Sequence, residues 1–399
     1  MLPEGALLNW GSYDIDNFGD LLFPFLVEHH LRAHYARIIH VSPTGMRSIW
    51  PDARQSCTVA DALASTPIAG LIVGGGNLIT WTTSSSINYN ENAEFSRVVH
   101  PSFSWIPFVL LAKYGIPYAY NHVGVAKPIP PEKERLVKTL LEPASYLSCR
   151  DYTGKDRLRG AGVTSRIVVG PDSAIDIAHV FPPDALHEHY HNEAREKYGI
   201  PRRAAIVVMH VKERYLKDQL DEVVRMIGVL RARGLHPVLV PFGMCHRDDD
   251  ILRDPRLQGS SATWILRPDL LLDLLSLLAV AKFYIGSSLH GAIAALSYGN
   301  AVAIVADEQS SRLCKFSGFL AQVDLARCLY SVWRDACDHL VSNGMATFGA
   351  LHSSKVKELS GRRDTWKDIH RSLVSGRHLR RDLALDRSLE ASAKHHYGI

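Results

Sequence analysis

The chain has 399 residues, of which 46% are hydrophobic and 22% are charged, and its formal net charge is +4. Length and composition predict a soluble globular protein with two domains, and the mild positive charge excludes a strongly basic nucleic-acid binder. The six cysteines form no CxxC pair, which argues against a zinc or redox motif, and the N-terminal residues do not resemble a signal peptide. We therefore expect free thiols and a cytoplasmic location.

Helices and strands alternate along the chain. A helix closed by glycine and followed by a short apolar, β-branched run recurs at 108–124, 195–210, 229–243 and 293–307. Glycine in this position ends a helix, and a continuous apolar run is typical of a strand covered on both faces. The pattern predicts an α/β fold of parallel sheets, organised as two doubly wound, Rossmann-like domains with a cleft between them.

The predicted boundary between the domains follows residues 170–193, where a Pro-Pro, histidine-rich connector gives way to a new helix. This gives an N-terminal domain over 1–180, a C-terminal domain over 195–345, and a polar, basic segment over 350–399 that holds a packed helix and then a tail. We expect solvent around this tail. The alternative is a peripheral contact with the anionic inner face of a membrane.

Two apparent signals are set aside. The most apolar stretch, 270–286, carries Asp273 and Lys282, so we interpret it as a buried helix followed by a strand rather than a membrane span. The segment HEHYH (187–191) fits the HExxH pattern of zinc proteases, but it lies in the predicted connector and no third ligand is placed near it. We expect no metal site.

The loop GSYDIDNFGD (11–20) follows a predicted strand, LLNW, and precedes a predicted helix. Asn17 and Asp20 could cap that helix, which is a purely structural task. Capping does not account for four polar residues, Asp14 and Asp16 included, in one short loop. Because the loop lies at the carboxyl end of a strand, we interpret Asp16, Asn17 and Asp20 as candidate substrate contacts.

A second loop, in LIVGGGNLIT (71–80), also follows a predicted strand. Glycines let backbone N–H groups approach an anion or a sugar closely, although glycine runs also serve tight packing. The candidate contacts in this loop are Gly74, Gly75, Gly76 and Asn77.

A third loop lies in FYIGSSLHGAIAALSYG (283–299). A predicted strand runs into Ser287 and Ser288, and a helix opens with His290 in its first turn. The positive end of that helix would attract an anion. A histidine in this place can act as a general acid or hold a phosphate, and the alternative is a capped, structural histidine.

Three cations also follow predicted strands. Arg312 and Lys315 share one helical face if a helix begins near Ser310, and Arg150 comes after a short apolar run. Together they could clamp a phosphate or a carboxylate beside the cleft. Taken singly, each is more often a surface charge.

Four features occur in a fixed order over roughly residues 8–325: NFGD (17–20), VGGGNLI (73–79), CRDYTGKDRLRGAGV (149–163) followed by VGPDSAID (169–176), and GSSLHGAIAA (286–295) followed by RLCKF. In this order and spacing, the chain resembles the polysaccharide pyruvyl transferases, including the ketal-pyruvate transferases of bacterial exopolysaccharide synthesis.

The resemblance implies a GT-B-like fold and transfer of pyruvate from phosphoenolpyruvate to two hydroxyls of one sugar, which gives a cyclic ketal. Phosphoenolpyruvate is then a co-substrate held by the second domain, and no cofactor is needed. The acceptor, on the side of the first domain, is a glycan or a lipid-linked oligosaccharide. His290 would be the acid or the phosphate partner, and Asp20 or Asp16 would take the proton of the acceptor hydroxyl.

The chain departs from the family pattern at Ser288, because many members have an arginine two residues before the histidine. The candidates for the task of that arginine are Arg312, Lys315 and the pair of His210 and Lys212. The anion clamp stays open among these residues.

Two other classes of function stay open. A GT-B glycosyltransferase with a nucleotide-sugar donor would need an acidic residue on the ribose, and Asp307 or Glu308 could supply it. A non-catalytic glycan-binding protein would lose no measurable activity on substitution of His290.

Overall fold

The computed structural model describes residues 4–90, 92–125, 127–216, 218–307, 314–343, 353–360, 363–376, 383 and 385–399. Within these residues, two six-stranded sheets are present and every pair of neighbouring strands is parallel. The predicted α/β fold with two doubly wound domains is confirmed.

The first sheet is built from β1 (Ala6–Trp10), β2 (Ile38–Val41), β3 (Ile68–Gly74), β4 (Tyr118–Val123), β5 (Tyr146–Cys149) and β6 (Val168–Val169), in the spatial order β2-β1-β3-β4-β5-β6. The helices in this part of the chain are α1 (Phe23–Leu31), α2 (Val59–Ser65), α3 (Ala93–Tyr114), α4 (Pro131–Leu141), α5 (Tyr152–Gly160) and α6 (Ile177–Val180).

The second sheet is built from β7 (Ala205–His210), β8 (Leu235–Leu239), β9 (Thr263–Trp264), β10 (Phe283–Gly286), β11 (Ala301–Val305) and β12 (Leu329–Tyr330), in the spatial order β12-β11-β10-β7-β8-β9. The helices around it are α7 (Pro183–His189), α8 (Arg195–Lys197), α9 (Leu220–Ala232), α10 (Pro255–Gln258), α11 (Leu271–Val280), α12 (Leu289–Ser297), α13 (Lys315–Gln322) and α14 (Trp333–Asn343).

Local sequence signals account for several of these elements. All five residues of β1 are buried, as expected for an apolar strand covered on both faces. Helix α3 begins after Asn92, whose side chain accepts hydrogen bonds from two backbone N–H groups of the first turn. The same helix ends at Gly115, where φ is +66° and glycine avoids the strain of a left-handed residue.

The order of the strands brings the predicted loops together. In the first sheet, β2 and β3 lie on opposite sides of β1. The loops after β1 and β3 therefore flank a topological switch point. In the second sheet the equivalent point lies between β7 and β10. Ligands of doubly wound sheets bind at such points. The fold therefore places the 11–20, 74–80 and 287–290 loops at the two crevices that face each other.

The histidine-rich connector is part of the second domain. Helix α7 continues through one π-helical turn into α8, and both pack on the buried Asp273 of α11. The carboxylate of Asp273 lies 2.7 Å from His189 Nε2, accepts a hydrogen bond from Tyr198 (2.6 Å) and pairs with Lys197 (3.1 Å). One histidine of HEHYH thus fastens the connector to α11.

The interpretation of 270–286 as a helix followed by a strand is confirmed by α11 and β10. Among the described residues, no helix has the length and apolar character needed to cross a membrane.

The C-terminal segment returns to the first domain as helices α15 (Ser353–Leu359), α16 (Arg363–Gly376) and α17 (Arg387–Tyr397). Helix α16 covers β4 and α1, and α17 packs on α3. The expectation of a solvated tail is wrong for the last thirteen residues, because Tyr397 and Ile399 are only 6% and 5% exposed. The ring of Tyr397 packs against Trp105 at 5.5 Å, so apolar burial orders this polar-looking segment.

Backbone hydrogen bonds join the two domains beside the cleft. Phe18 N–H donates to the carbonyl of Phe242 (2.8 Å), and Cys245 N–H donates to the carbonyl of Asp16 (3.1 Å). The rings of Phe18 and Phe242 pack at 5.0 Å. Farther away, Asp52 accepts the first two N–H groups of α11, both at 2.9 Å. These contacts hold the two crevices in register.

Candidate functional site

A cavity of about 360 Å³ lies between the carboxyl ends of the two sheets. The predicted residues that line it are Asn17, Asp20, Gly76, Asn77, Arg150, His210, Lys212, Ser287, Ser288, His290 and Lys315. Three predicted contacts, Asp16, Gly74 and Gly75, do not line it. Arg312 lies outside the described residues.

Glycines in the first-domain loops make room for functional side chains. A Cβ on Gly19 would overlap the imidazole ring of His290, which reaches over from the second domain. A Cβ on Gly76 would lie 2.8 Å from the carboxylate of Asp20, and one on Gly75 would overlap the ring of Phe23. Phe23 in turn packs edge-on against His290, with centroids 5.6 Å apart. Gly19 of the NFGD motif and Gly75 and Gly76 of the VGGGNLI motif therefore allow the first-domain loops to pack closely around His290.

His290 is held by a cap and by an aspartate of the other domain. Ser288 caps α12, since its hydroxyl oxygen accepts a hydrogen bond from Gly291 N–H (3.2 Å). The buried Nε2 of His290 lies 3.5 Å from Oδ2 of Asp172 in the first domain. Nδ1, the other ring nitrogen, lies against Gly19, and His290 lines the cavity. The pair resembles the arrangement in which a carboxylate orients a catalytic histidine.

Asp172 is completely buried and ionised. Burial alone would raise its pKa, but His290 and the guanidinium of Arg150 outweigh this effect and lower the pKa well below its usual range. Nη1 of Arg150 donates to Asp172 at 3.0 Å, and Nη2 donates to the side-chain oxygen of Asn77 at 2.5 Å. Arg150 thus lines the cavity while two first-domain residues hold its guanidinium, so it is a braced cation rather than a mobile clamp.

Asp20 also lines the cavity, and its pKa is shifted in the direction opposite to that of Asp172. Burial raises the pKa of its carboxyl to about 6, against the opposing influence of His290 and Arg150. A carboxylate with such a pKa is a stronger base than an exposed aspartate and is ionised at neutral pH. Asp20 and Asp172 are therefore two acidic groups of one site with pKa values moved in opposite directions, a pattern typical of acid–base catalysis.

The second domain contributes a different pair. His210 Nε2 lies 2.9 Å from Oδ2 of Asp248, and Nζ of Lys212 lies 3.0 Å from Oδ1. Nδ1 of His210 is buried and has no hydrogen-bond partner among the described residues. Burial lowers the pKa of His210, although Asp248 opposes the shift. His210 therefore supports Asp248 at the cavity wall, and its role as an anion ligand stays a prediction.

Asp16, a predicted substrate contact, is hydrogen-bonded to neighbouring segments. Its carboxylate accepts hydrogen bonds from the Ser48 hydroxyl (3.0 Å), Ile49 N–H (2.9 Å) and the Asn88 amide (3.3 Å). Asp14 is fully buried and accepts from the Tyr89 hydroxyl. These two aspartates hold neighbouring segments against the loop after β1, which leaves Asp20 as the aspartate of this loop that lines the cavity.

Sequence reasoning missed Asp172, Asp248 and a row of hydroxyl residues from Thr80 to Ser86. Asp172 stood inside the motif VGPDSAID, but nothing local indicated that it meets a histidine more than a hundred residues later. Asp307, the ribose ligand of the alternative reading, is buried after β11 and does not line the cavity. Its neighbour Glu308 lies outside the described residues.

Two Rossmann-like domains with facing crevices define a GT-B-like protein, and solved structures agree. The chain is similar to a UDP-GlcNAc 2-epimerase from Neisseria meningitidis, with a TM-score of 0.55 and 11% identity over 93% of this chain and 99% of that one. It is similar to the S. aureus protein MnaA (TM-score 0.54, 12% identity, 89% and 91% covered) and to the wall teichoic acid polymerase TagF (0.51, 12%, 94% and 86%). At these identities the likeness shows the fold alone.

The family follows from the sequence. The family model described as polysaccharide pyruvyl transferase matches residues 17–306, and the chain belongs to this family. No functionally curated protein matches the chain significantly. The matched range begins at the NFGD loop and ends after β11, so it includes both walls of the cavity.

Proposed function

We propose that the protein transfers pyruvate from phosphoenolpyruvate to two hydroxyls of a glycan sugar and forms a cyclic ketal, as a step of cell-surface or exopolysaccharide synthesis. The observation that carries the proposal is the cross-domain pair of His290 and Asp172 beside Asp20 in one cavity. Such a set supplies an acid and a base next to each other, as a reaction that adds a proton to carbon and removes one from a hydroxyl requires.

The second-domain wall suits the anionic donor. Lys212, Arg214 and Lys315 line the cavity there, and the amino end of the nine-residue helix α12 adds a partial positive charge. Phosphoenolpyruvate carries a phosphate and a carboxylate, and both groups are attracted to this wall. Without the arginine that many members have at Ser288, these cations are our candidates for the anion clamp.

The proposed chemistry begins at His290. Its protonated ring gives a proton to the methylene carbon of phosphoenolpyruvate, and Asp172 stabilises the imidazolium before the transfer. The positive charge that develops at the next carbon is attacked by the first acceptor hydroxyl, whose proton passes to Asp20. The tetrahedral adduct then loses phosphate, which leaves with the electrons of its C–O bond and takes the proton from Asp20. The second hydroxyl closes the ring, and its proton returns to His290.

Donor dependence tests the proposal. The protein is incubated with phosphoenolpyruvate and a panel of glycosides, phosphate release is measured, and mass spectrometry follows the acceptors. We expect phosphate and a pyruvate ketal in equal amounts, and both formed about two to four orders of magnitude more slowly by the His290→Ala protein. Sugar transfer from a nucleotide donor, with no product from phosphoenolpyruvate, would establish the glycosyltransferase alternative. Glycan binding with no turnover of either donor would identify a non-catalytic relative.

A further inference from the structure

Two histidines and a glutamate meet where the C-terminal helix α17 packs on α3. Glu94 lies in the first turn of α3, and His395 and His396 lie in the last turn of α17. One carboxylate oxygen of Glu94 and one ring nitrogen of each histidine all lie within 4.8 Å of one another. These three residues are called the His-Glu cluster below. None of them lines the cavity between the domains.

The backbone is anchored on both sides of the His-Glu cluster. Asn92 caps α3, and its side chain accepts hydrogen bonds from the N–H groups of Glu94 (2.9 Å) and Phe95 (3.1 Å). On α17, Tyr397 directly follows the histidine pair, and its buried ring packs against Trp105 at 5.5 Å and Phe95 at 6.0 Å. Rotation of side chains alone can therefore bring the three donor atoms closer together.

The donor set suits a transition-metal ion. Imidazole nitrogen and carboxylate oxygen both bind zinc at about 2.0–2.2 Å, and zinc in proteins can combine three such ligands with a water molecule. Donor atoms around a tetrahedral zinc ion are about 3.4 Å apart, and Nε2 of His396 lies 3.8 Å from Oε1 of Glu94. Within the described residues, no lysine or arginine forms an ion pair with Glu94. Its carboxylate is thus available to a metal ion.

Convergence of three donors distinguishes this cluster from the other histidines, of which the chain has 20 in all. Among the described residues, the His-Glu cluster is the one group of three histidine, cysteine, aspartate or glutamate side chains whose donor atoms come this close. The HEHYH segment forms no such group, and Nε2 of its His189 lies 2.7 Å from Asp273. Sequence motifs could not indicate the cluster, because its ligands lie on two helices far apart in the chain.

We propose that the His-Glu cluster binds one zinc ion, or a chemically similar divalent transition-metal ion, and that this ion fastens α17 to the start of α3. Glu94, His395 and His396 are the protein ligands, and water completes the coordination. Of the residues of α17, only Ala393 and Tyr397 are buried, so a metal link would add to the stability of its packing. The inference does not depend on the proposed function, since the cluster lies outside the cavity.

Calorimetric titration of zinc into the chelator-treated full chain tests the site. The variants Glu94→Gln, His395→Asn and His396→Asn each remove one ligand and keep a polar side chain. The matched controls are Glu390→Gln, exposed on the same helix, and His191→Asn, exposed in the connector. Magnesium is titrated in parallel, because it prefers oxygen ligands. Thermal unfolding of each protein is followed with and without zinc.

We expect one tightly bound zinc ion per wild-type chain, a higher Tm with zinc, and no measurable binding of magnesium. Each ligand variant should lose at least about tenfold in zinc affinity, since even a group that only supports a metal ligand is worth about 10–100-fold. Both controls should match wild type. Anomalous scattering at the zinc edge should place the ion between Glu94 and the two histidines.

Three other results would overturn the proposal. No zinc binding, or a zinc affinity that all three ligand variants leave unchanged, would show that the cluster is not the site. Equal affinity for magnesium would overturn the assignment to a transition metal. Zinc binding at the cluster with no rise in Tm would overturn the fastening of α17.

Discussion

The cleft contains two histidine–aspartate pairs that are chemically alike but differently placed. His290 and Asp172 come from different domains, with 3.5 Å between Nε2 and the carboxylate, and His290 lines the cavity. His210 and Asp248 both belong to the second domain at 2.9 Å, and the remaining nitrogen of His210 is buried. The shorter pair is thus the one that lies within a single domain.

In the proposed reaction, the pair that joins the two domains is catalytic, and the pair within the second domain is structural. His290 depends on both domains for its position, through Gly19, Phe23 and Asp172. His210 depends only on its own domain. Substitutions in the two pairs should therefore have unequal effects on turnover.

Replacing His290 should have the largest effect. His290→Ala is expected to lower turnover by about two to four orders of magnitude, the usual worth of a general acid, with little change in the midpoint of urea unfolding. The measurement is the steady-state rate of phosphate release. His179→Ala is the control, since His179 is exposed on α6. Turnover close to wild type would make His290 a structural residue.

Gly19→Ala should act through His290 without touching it chemically. The added Cβ overlaps the imidazole ring, so the ring must move, and a displacement of this kind can cost about a hundredfold in rate. Gly228→Ala serves as control, because Gly228 is at an exposed position of helix α9 and a Cβ there meets nothing within 4 Å. A crystal structure of the Gly19→Ala protein with His290 unmoved, together with full activity, would contradict the role of this packing.

Asp20→Asn should change the dependence on pH. Because the pKa of Asp20 is about 6, wild-type kcat/KM should fall as the pH drops through that value and the base becomes protonated. Asparagine should remove this limb and lower the rate at neutral pH. Exposed Asp184→Asn is the control. Retention of the limb in Asp20→Asn would assign the titration to another group.

The same substitution should stabilise the fold above that pH. The pKa of Asp20 is raised on folding, so its charged form is less favourable in the folded than in the unfolded chain. In urea unfolding, Asp20→Asn should therefore exceed wild type at about pH 8, and the gap should narrow as the pH falls through about 6 and wild type binds a proton.

His210→Asn should have the smallest effect on turnover, within about tenfold, because Lys212 still holds Asp248. Its cost should appear in stability instead, as a loss of about 1–3 kcal/mol in the free energy of unfolding from a buried pair left incomplete. Kinetics and urea unfolding on one preparation separate the two quantities. A loss of turnover equal to that of His290→Ala would abolish the distinction between the pairs.

The fold and the location of the site were predictable because both depend on local patterns. Apolar runs flanked by glycines indicate buried parallel strands, and polar loops at strand ends then share an edge. His290 and Asp20 could be chosen from the sequence for this reason. Gly19 and Gly76 could be recognised as turn residues from the sequence. Only the structure shows that a Cβ on Gly19 would overlap His290 and that one on Gly76 would crowd Asp20.

Residues that act through long-range partners could not be predicted. Asp14 and Asp16 look like ligands in a polar loop, and only the folded chain shows them bonded to segments 30 to 75 positions away. The sequence indicates that Arg150 can bind an anion, but it does not show that the guanidinium donates hydrogen bonds to Asp172 and Asn77. The packing of α17 on α3 could not be predicted, because α17 has few apolar residues and many charged and polar ones.

The central claim is that His290 delivers a proton to the methylene carbon of phosphoenolpyruvate. Its most direct test is to run the reaction in D₂O, return the product to H₂O, and examine the ketal methyl group by NMR and mass spectrometry. The account predicts one carbon-bound deuterium per ketal, since the proton on His290 comes from solvent. A ketal methyl group without deuterium would contradict it.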